Sequence, residues 1–470
     1  MNLSGKIKKI IAERMRSFFS DRNSALAIQR NDMAKKKRKV KKERLLILAG
    51  AGLAVLCLLV WGLTTLIRSF SSSSSLAEQK VYAAENTGKA RLSKENQDLL
   101  ENPNILTPAV LPAPTEEMSF TFTGVGDNLL HDRLYRVFEE NYGSRDYFPM
   151  YKNIIPYNSQ SDLNYINLET LIAGDAYGMS GYPAFNGPSE FFEALQKAGF
   201  NWLSGAGNHT YDMGSQAVMD EIVYAREHAP DLSLTGIHSD EADAAAPVVR
   251  EINGVKVGLA SFAFGMNGNI FPTEDWLIDI YRNPDYSINY DLVDQRIDAL
   301  QDVSDVQIVS VHWGDEYSET PSDEQRELAQ HLHEKGVEVI IGTHPHVIQP
   351  VEMLSTGDQD TLVYYSLGNF ISGQDTAERM VGGMANFRMS YDSQTGRAEI
   401  SDASFTPTVT LINPDATEFG VSTISEYNDE IASQHYIQVQ KGLDMSKAAL
   451  QGYVQSVMGE MPEGVALILE

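Results

Sequence analysis

A single cysteine among 470 residues excludes a disulfide framework. That residue, Cys57, lies inside an uncharged apolar run, so thiol–imidazole catalysis is excluded for everything downstream. Basic residues are scarce after position 44. Residues 1–44 hold fifteen Lys/Arg against four Asp/Glu, and with a whole-chain net of −27 the remainder carries −38. Nucleic acid is thereby excluded as a partner, because its phosphates need a basic face. No Gly-x-Ser-x-Gly elbow occurs, which removes the signature of an α/β serine hydrolase. The run from Gly124 lacks the last glycine of a dinucleotide fingerprint, since Leu129 stands there. The chain contains no internal repeat.

What is present begins with Leu45–Ile67, 23 residues without a charge. As a helix rising about 1.5 Å per residue, the run spans a hydrocarbon core of about 30 Å. Lysines and arginines from Lys35 to Arg44 precede it, which places the N-terminus in the cytoplasm and the rest outside the cell membrane. The span is too long, and its lead too extended, for a cleaved signal peptide. The reading is a single-pass anchor.

The chain then divides into five parts. Residues 1–44 form a basic cytoplasmic tail, in which Ile7–Phe19 has the pattern of a short amphipathic helix. Residues 45–67 are the transmembrane helix. Residues 68–117 are a polar extracellular stalk, rich in serine at Ser71–Ser75 and closed by Pro108, Pro112 and Pro114. Residues 118–410 are the main domain, and 411–470 a C-terminal helical extension.

From Met118 onward strands alternate with helices, which predicts an α/β domain with helices over both sheet faces. Helices are expected at 191–199, at 215–228, and at 322–335 behind an N-cap at Ser322. Asn253-Gly254 predicts a two-residue hairpin. A second hairpin is expected around 392–397.

Candidate chemistry collects where strands end, the usual place for sites in α/β sheets. Five strand-like runs deliver Gly126-Asp127, Asn167-Leu168-Glu169, Gly207-Asn208-His209, His312-Trp313-Gly314 and His344-Pro345-His346. Oxygen and imidazole donors in such numbers suit a metal-centred hydrolase. Taken singly, Asp127 is equally a turn aspartate, Glu169 a helix-cap carboxylate, and His312 a bonded core histidine. His344 and His346 at an extended strand end, spaced by a stiff proline, reach two adjacent metals or one metal and a substrate. His331 and His333 point to different sides of a helix. His228, His238 and His435 read as surface histidines.

These motifs, with Asp212, Gly214 and the run Tyr365-Ser366-Leu367-Gly368-Asn369-Phe370, occur in an order that resembles the CapA/PgsA-type capsule synthesis proteins. Those poly-γ-glutamate synthesis proteins have a domain similar to calcineurin-like metallophosphoesterases. The resemblance covers roughly residues 118–372. It implies a four-layer α/β/β/α sandwich preceded by the transmembrane helix, with a two-metal cleft for Mn, Zn or Fe. It implies Asp127 and His346 on the first metal, Glu169 bridging, and Asn208, His312 and His344 on the second. It further implies His209 and Asp212 as catalytic residues, and Asn128, Trp313 and Asn369 as substrate contacts. Two departures stand out. Leu129 occupies the position of a histidine ligand, and Glu169 that of a bridging aspartate; both weaken the first site.

Three functions are therefore expected to compete. The first is synthesis or export of an anionic polymer such as poly-γ-glutamate, alongside a membrane-bound synthase complex. The second is metal-dependent hydrolysis of phosphoester or amide bonds in envelope polymers. The third is a non-catalytic scaffold of the same fold.

Overall fold

A computed structural model describes residues 118–470, Asp358 apart. The expected tail, transmembrane helix and stalk lie outside the described residues. Among the described residues, no helix is long and apolar enough to cross a membrane.

The domain is a mixed α/β fold built on two sheets. The first has nine strands: β1 (Met118–Leu129), β2 (Leu163–Asn167), β3 (Trp202–Ser204), β4 (Ser233–Thr235), β11 (Asn369–Ser372), β12 (Val381–Asp392), β13 (Arg397–Ile412), β14 (Phe419–Thr423) and β15 (Val465–Leu467). Its main order is β14-β13-β12-β1-β2-β3-β4. The second sheet has six strands: β5 (Val248–Ile252), β6 (Val255–Ala263), β7 (Val306–His312), β8 (Val339–Thr343), β9 (Ile348–Thr356) and β10 (Gln359–Leu367), in the order β5-β6-β7-β8-β10-β9.

The sheets face one another. Phe122, Tyr165 and Trp202 of the first share one buried cluster with Val257, Ile308, Ile341 and Tyr364 of the second. On the other face of the second sheet lie α4 (Tyr290–Gln301) and α5 (Asp323–Glu334). Val293, Ile297, Leu328 and Leu332 there pack on Val309, Val311, Ile340 and Val363. With both faces covered, β7 and β8 are buried at every residue, as central parallel strands must be. The first sheet is accompanied by α1 (Asp132–Tyr142), α2 (Glu190–Lys197) and α3 (Ser215–His228).

Local signals account for many boundaries. Ser322 closes a capping box with Gln325 at the start of α5. Asn253 and Gly254 take positive φ values of 51° and 86°, the mirror-image turn that joins β5 to β6. The hairpin around 392–397 joins β12 to β13.

Residues 411–470 depart from the helical extension expected of them. They do contain α6 (Lys447–Met458), but β14 pairs antiparallel with β13 and β15 pairs parallel with it. Phe419, Val421, Ile437, Leu450 and Val454 all enter the main core cluster. This segment completes the first sheet instead of trailing from it.

Candidate metal centre

The site forms where the C-terminal ends of β1, β2, β3, β7 and β8 converge. Asp127 is brought there by a close approach of two chain segments. A Cβ on Gly126 would sit 1.9 Å from the Gly368 carbonyl oxygen, so only glycine fits. The Asp127 amide then donates to that same oxygen at 2.9 Å. From β8 the chain turns through His344 and His346 with φ values of 98° and 60°. The extended strand end expected for this pair is thus a left-handed turn, a conformation costly for residues with a Cβ. Two bonds hold it: the His344 amide donates to Asp127 Oδ1 at 3.3 Å, and the Pro345 carbonyl accepts from Tyr317.

Six of the predicted residues meet here. Glu169, His312 and His344 form one set whose ligand atoms lie within 4.8 Å of one another. Asp127, Glu169 and His346 form a second, so Glu169 belongs to both. Asn208 Oδ1 joins the first set, 3.0 Å from His312 Nε2. All six are buried. Both oxygens of Glu169, and Nδ1 of His344, have no hydrogen-bond partner among the described residues. The nearest ion-pair partner of Glu169 Oε1 is His346 Nε2 at 3.4 Å; buried carboxylate oxygens without hydrogen bonds are expensive, and a divalent cation would satisfy them. The donors present, carboxylate, imidazole and amide oxygen, fit such an ion.

Electrostatics point the same way. Burial lifts the Glu169 carboxyl well above its ordinary value; His346 opposes this, and Asp127 and Glu316 add to it. Burial works against charge on His346, yet Glu169 and then Asp127 outweigh it and raise the imidazole to about 9. His312 and His344 are pushed well below their ordinary value, first by burial and then by neighbouring histidines. They are neutral donors, the form that ligates a metal.

A supporting ring of residues escaped the sequence reading. Thr343 Oγ1 lies 3.1 Å from His312 Nδ1, which fixes that nitrogen and turns Nε2 to the cluster. Asn167 donates to Asp127 Oδ1 at 2.9 Å. Asn267 accepts from Asn208 and lies 2.9 Å from His209 Nδ1. Thr343 and Asn167 sit within quoted motifs, where their strand-end positions were the available signal. Asn267 lies in a loop with no such signal.

His209 stands beside the cluster but in neither ligand set. Its Nδ1 is 2.7 Å from Asp212 Oδ2, and its ring meets the edge of Phe185. His131 is outside both sets as well, its Nδ1 accepting from the Gly373 amide.

The three predicted substrate contacts are corrected. Trp313 is fully buried on the helix side of the second sheet, stacked on Tyr365 and donating to its carbonyl. Asn128 is fully buried and accepts from Tyr151 at 2.8 Å. A register break between Asp127 and Asn128 separates the two side chains. Asn369 reaches the site from behind: it contacts His346 Nδ1 and donates to the His346 carbonyl, so it positions that ring. His238 and His435 are likewise buried, not surface, and bond to Asp279 and to the Thr410 carbonyl. The cavity of about 570 Å³ between Phe138, Leu411 and Ile431 is lined by none of the six cluster residues.

The sequence profile described as "Bacterial capsule synthesis protein PGA_cap" matches residues 121–374. The chain is 29% identical over 273 residues to the capsule biosynthesis protein CapA of Bacillus anthracis, covering 57% of this chain and 64% of that protein. It is 27% identical over 215 residues to the PGA biosynthesis protein CapA of Bacillus subtilis (strain 168), covering 45% and 53%. The match thus spans less than two thirds of either relative's length. Among solved structures, a phosphatase from Mycoplasma pneumoniae aligns at a TM-score of 0.39 and 14% identity, over 69% of this chain and 99% of the other. A hypothetical protein from Thermus thermophilus aligns at 0.37 and 16%, over 61% and 97%. The profile match covers more than half of the 470 residues, and the chain belongs to the bacterial capsule synthesis protein PGA_cap family.

Proposed function

We propose that this chain is a membrane-anchored extracellular protein that helps to make or export an anionic capsule polymer such as poly-γ-glutamate, acting through two divalent ions. The observation that carries the reading is Glu169, buried, without a hydrogen bond at either oxygen and shared by two ligand sets. In this reading the two sheets and their helices make a four-layer α/β/β/α metallophosphoesterase-like sandwich behind a transmembrane helix, and a membrane-bound synthase complex is the partner. The names of the Bacillus relatives, which refer to capsule and PGA biosynthesis, support the polymer. Imidazole mixed with oxygen donors favours Mn, Zn or Fe over Ca.

Asp127 and His346 would hold the first ion, Glu169 would bridge, and Asn208, His312 and His344 would hold the second. Such ions, when bound, supply Lewis acidity and acidify bound water. The chain's own residues do the rest. Asp212 and Asn267 hold Nδ1 of His209, and Nε2, with only a long contact of 3.4 Å to Asn267, is the edge that exchanges a proton with substrate. Phe185 packs edge-to-face with that ring, 4.5 Å between centroids, and holds its orientation. This dyad favours a hydrolytic step on the polymer over a purely structural role.

The test is metal uptake by the full-length protein alongside polymer production in cells. Metal should raise the melting temperature by mass action. His344→Ala should remove most of that rise and abolish polymer, and Asp127→Ala should remove less of it. His209→Ala should keep metal uptake and still lose polymer. Full production by a variant that takes up no metal would overturn the metal reading and leave the scaffold.

A further inference from the structure

Arg379 is one of the arginines of this domain that no acid pairs among the described residues. Arg145, Arg226, Arg282, Arg296, Arg326 and Arg388 each pair with an acid. The Arg379 guanidinium makes neither an ion pair nor a hydrogen bond among the described residues, although acids outnumber bases 64 to 37 in the chain. Its Cζ sits over the Tyr317 ring, 3.5 Å from the centroid. Tyr317 in turn sits 5.9 Å, centroid to centroid, from His346 of the cluster. The backbone beneath is tied to the site too, because the Arg379 carbonyl accepts from Asn369, which positions His346.

Two more cations stand nearby. Lys441 bonds Asp375 at 2.7 Å. Arg133 bonds the Gly373 and Gln374 carbonyls and lies over Phe419 and Tyr436. The Asp375 carboxyl is held below its ordinary value by Lys441 against the effect of burial, and Arg133 and Arg379 add to the lowering. Lys441 pairs with Asp375, and Arg133 and Arg379 lie near enough to act on it. Acids stand here too: Glu378 precedes Arg379, and Glu378 and Glu319 both act on Tyr453, but neither forms an ion pair with Arg379 among the described residues. Glu316 is exposed beside Tyr317 and acts on the cluster as well, so the binding element is the Arg379 guanidinium itself and not a net positive patch.

We propose that Arg379, stacked on Tyr317 and backed by Arg133 and Lys441, is the rim on which a chain of repeating carboxylates is received before it reaches the cluster. A guanidinium immobilised on an aromatic ring keeps its N–H edge free for bidentate binding of a carboxylate. A strongly acidic chain repels a polyanion over most of its surface, so a guanidinium that no acid pairs, beside the cluster, sets where it approaches. The proposal rests on the polymer reading above and names the binding surface for it.

The test measures binding of a fluorescein-labelled γ-linked oligoglutamate to the full-length protein, with polyphosphate as competitor. Arg379→Ala should weaken binding roughly tenfold or more, and Arg379→Lys should recover part of it. Arg388→Ala, at a distant exposed pair, should bind as the wild type does. Metal uptake by Arg379→Ala should be unchanged, which shows that the variant is folded and its cluster intact. Undiminished binding by Arg379→Ala, absence of binding by the wild type, or displacement by polyphosphate in preference to oligoglutamate would each overturn the proposal. None of these outcomes bears on the metal reading, which fails only through His344→Ala.

Discussion

Glu221 is a carboxyl at odds with its surroundings outside the metal cluster. It is buried in α3, and its Oε1 accepts from the Ile172 amide, three residues after Glu169. Burial pushes it up to about 8, with the Ile172 bond pulling the other way. The folded protein therefore keeps a proton that the unfolded chain releases near 4.5. Its contribution to stability is full below that lower value and is lost as pH rises through the upper one. Burial lifts Glu338 as well, to about 7, and the two act in the same direction. Between about pH 5 and 8, stability should fall by on the order of a few kcal/mol on account of Glu221. Glu221→Gln keeps the acceptor and removes the proton. Urea denaturation across that range should give a flatter pH dependence for the variant; parallel curves would contradict the assignment.

At the scale of elements, the C-terminal segment is the informative case. Residues after Ile412 bury Phe419, Val421, Ile424, Tyr427, Ile437, Leu450 and Val454 in the main cluster. Each such side chain contributes roughly 1.5–3 kcal/mol, and together they match or exceed the usual margin of about 5–15 kcal/mol. Ending the chain at Ile412 should give insoluble protein, because β13 also becomes a bare edge. Soluble truncated protein with the full-length melting temperature would refute this.

That segment also shows what a sequence can convey. Helix α3 was legible to the residue, and α5 nearly so, because caps and apolar spacing mark them locally. Strands β14 and β15 were not, since a three- or five-residue strand is specified by its partner β13 rather than by its own pattern. The ligands were legible for another reason: each follows an apolar run, short at β2, β3 and β8, that breaks off in a carboxylate, amide or imidazole. Trp313 was misassigned although it adjoins His312. Successive strand residues face opposite ways, and sequence adjacency hides this. His238 and His435 were misplaced because their partners, Asp279 and the Thr410 carbonyl, lie far along the chain.

At the scale of the whole molecule, charge sets the remaining expectation. The basic first 44 residues and the acidic remainder belong on opposite sides of a membrane if Leu45–Ile67 is the anchor. Protease added to intact cells should digest the acidic domain and spare the tail. A domain protected from that protease would reverse the topology.

The ligand sets have one property that belongs to neither sheet alone. Asp127, Glu169 and Asn208 come from the first sheet, and His312, His344 and His346 from the second. Each set of three contains members of both. An ion held there works as a rivet through two plates. Parting the plates and letting the ion go become a single event, so the ion's residence time is a clock for how often the two halves of the core breathe apart.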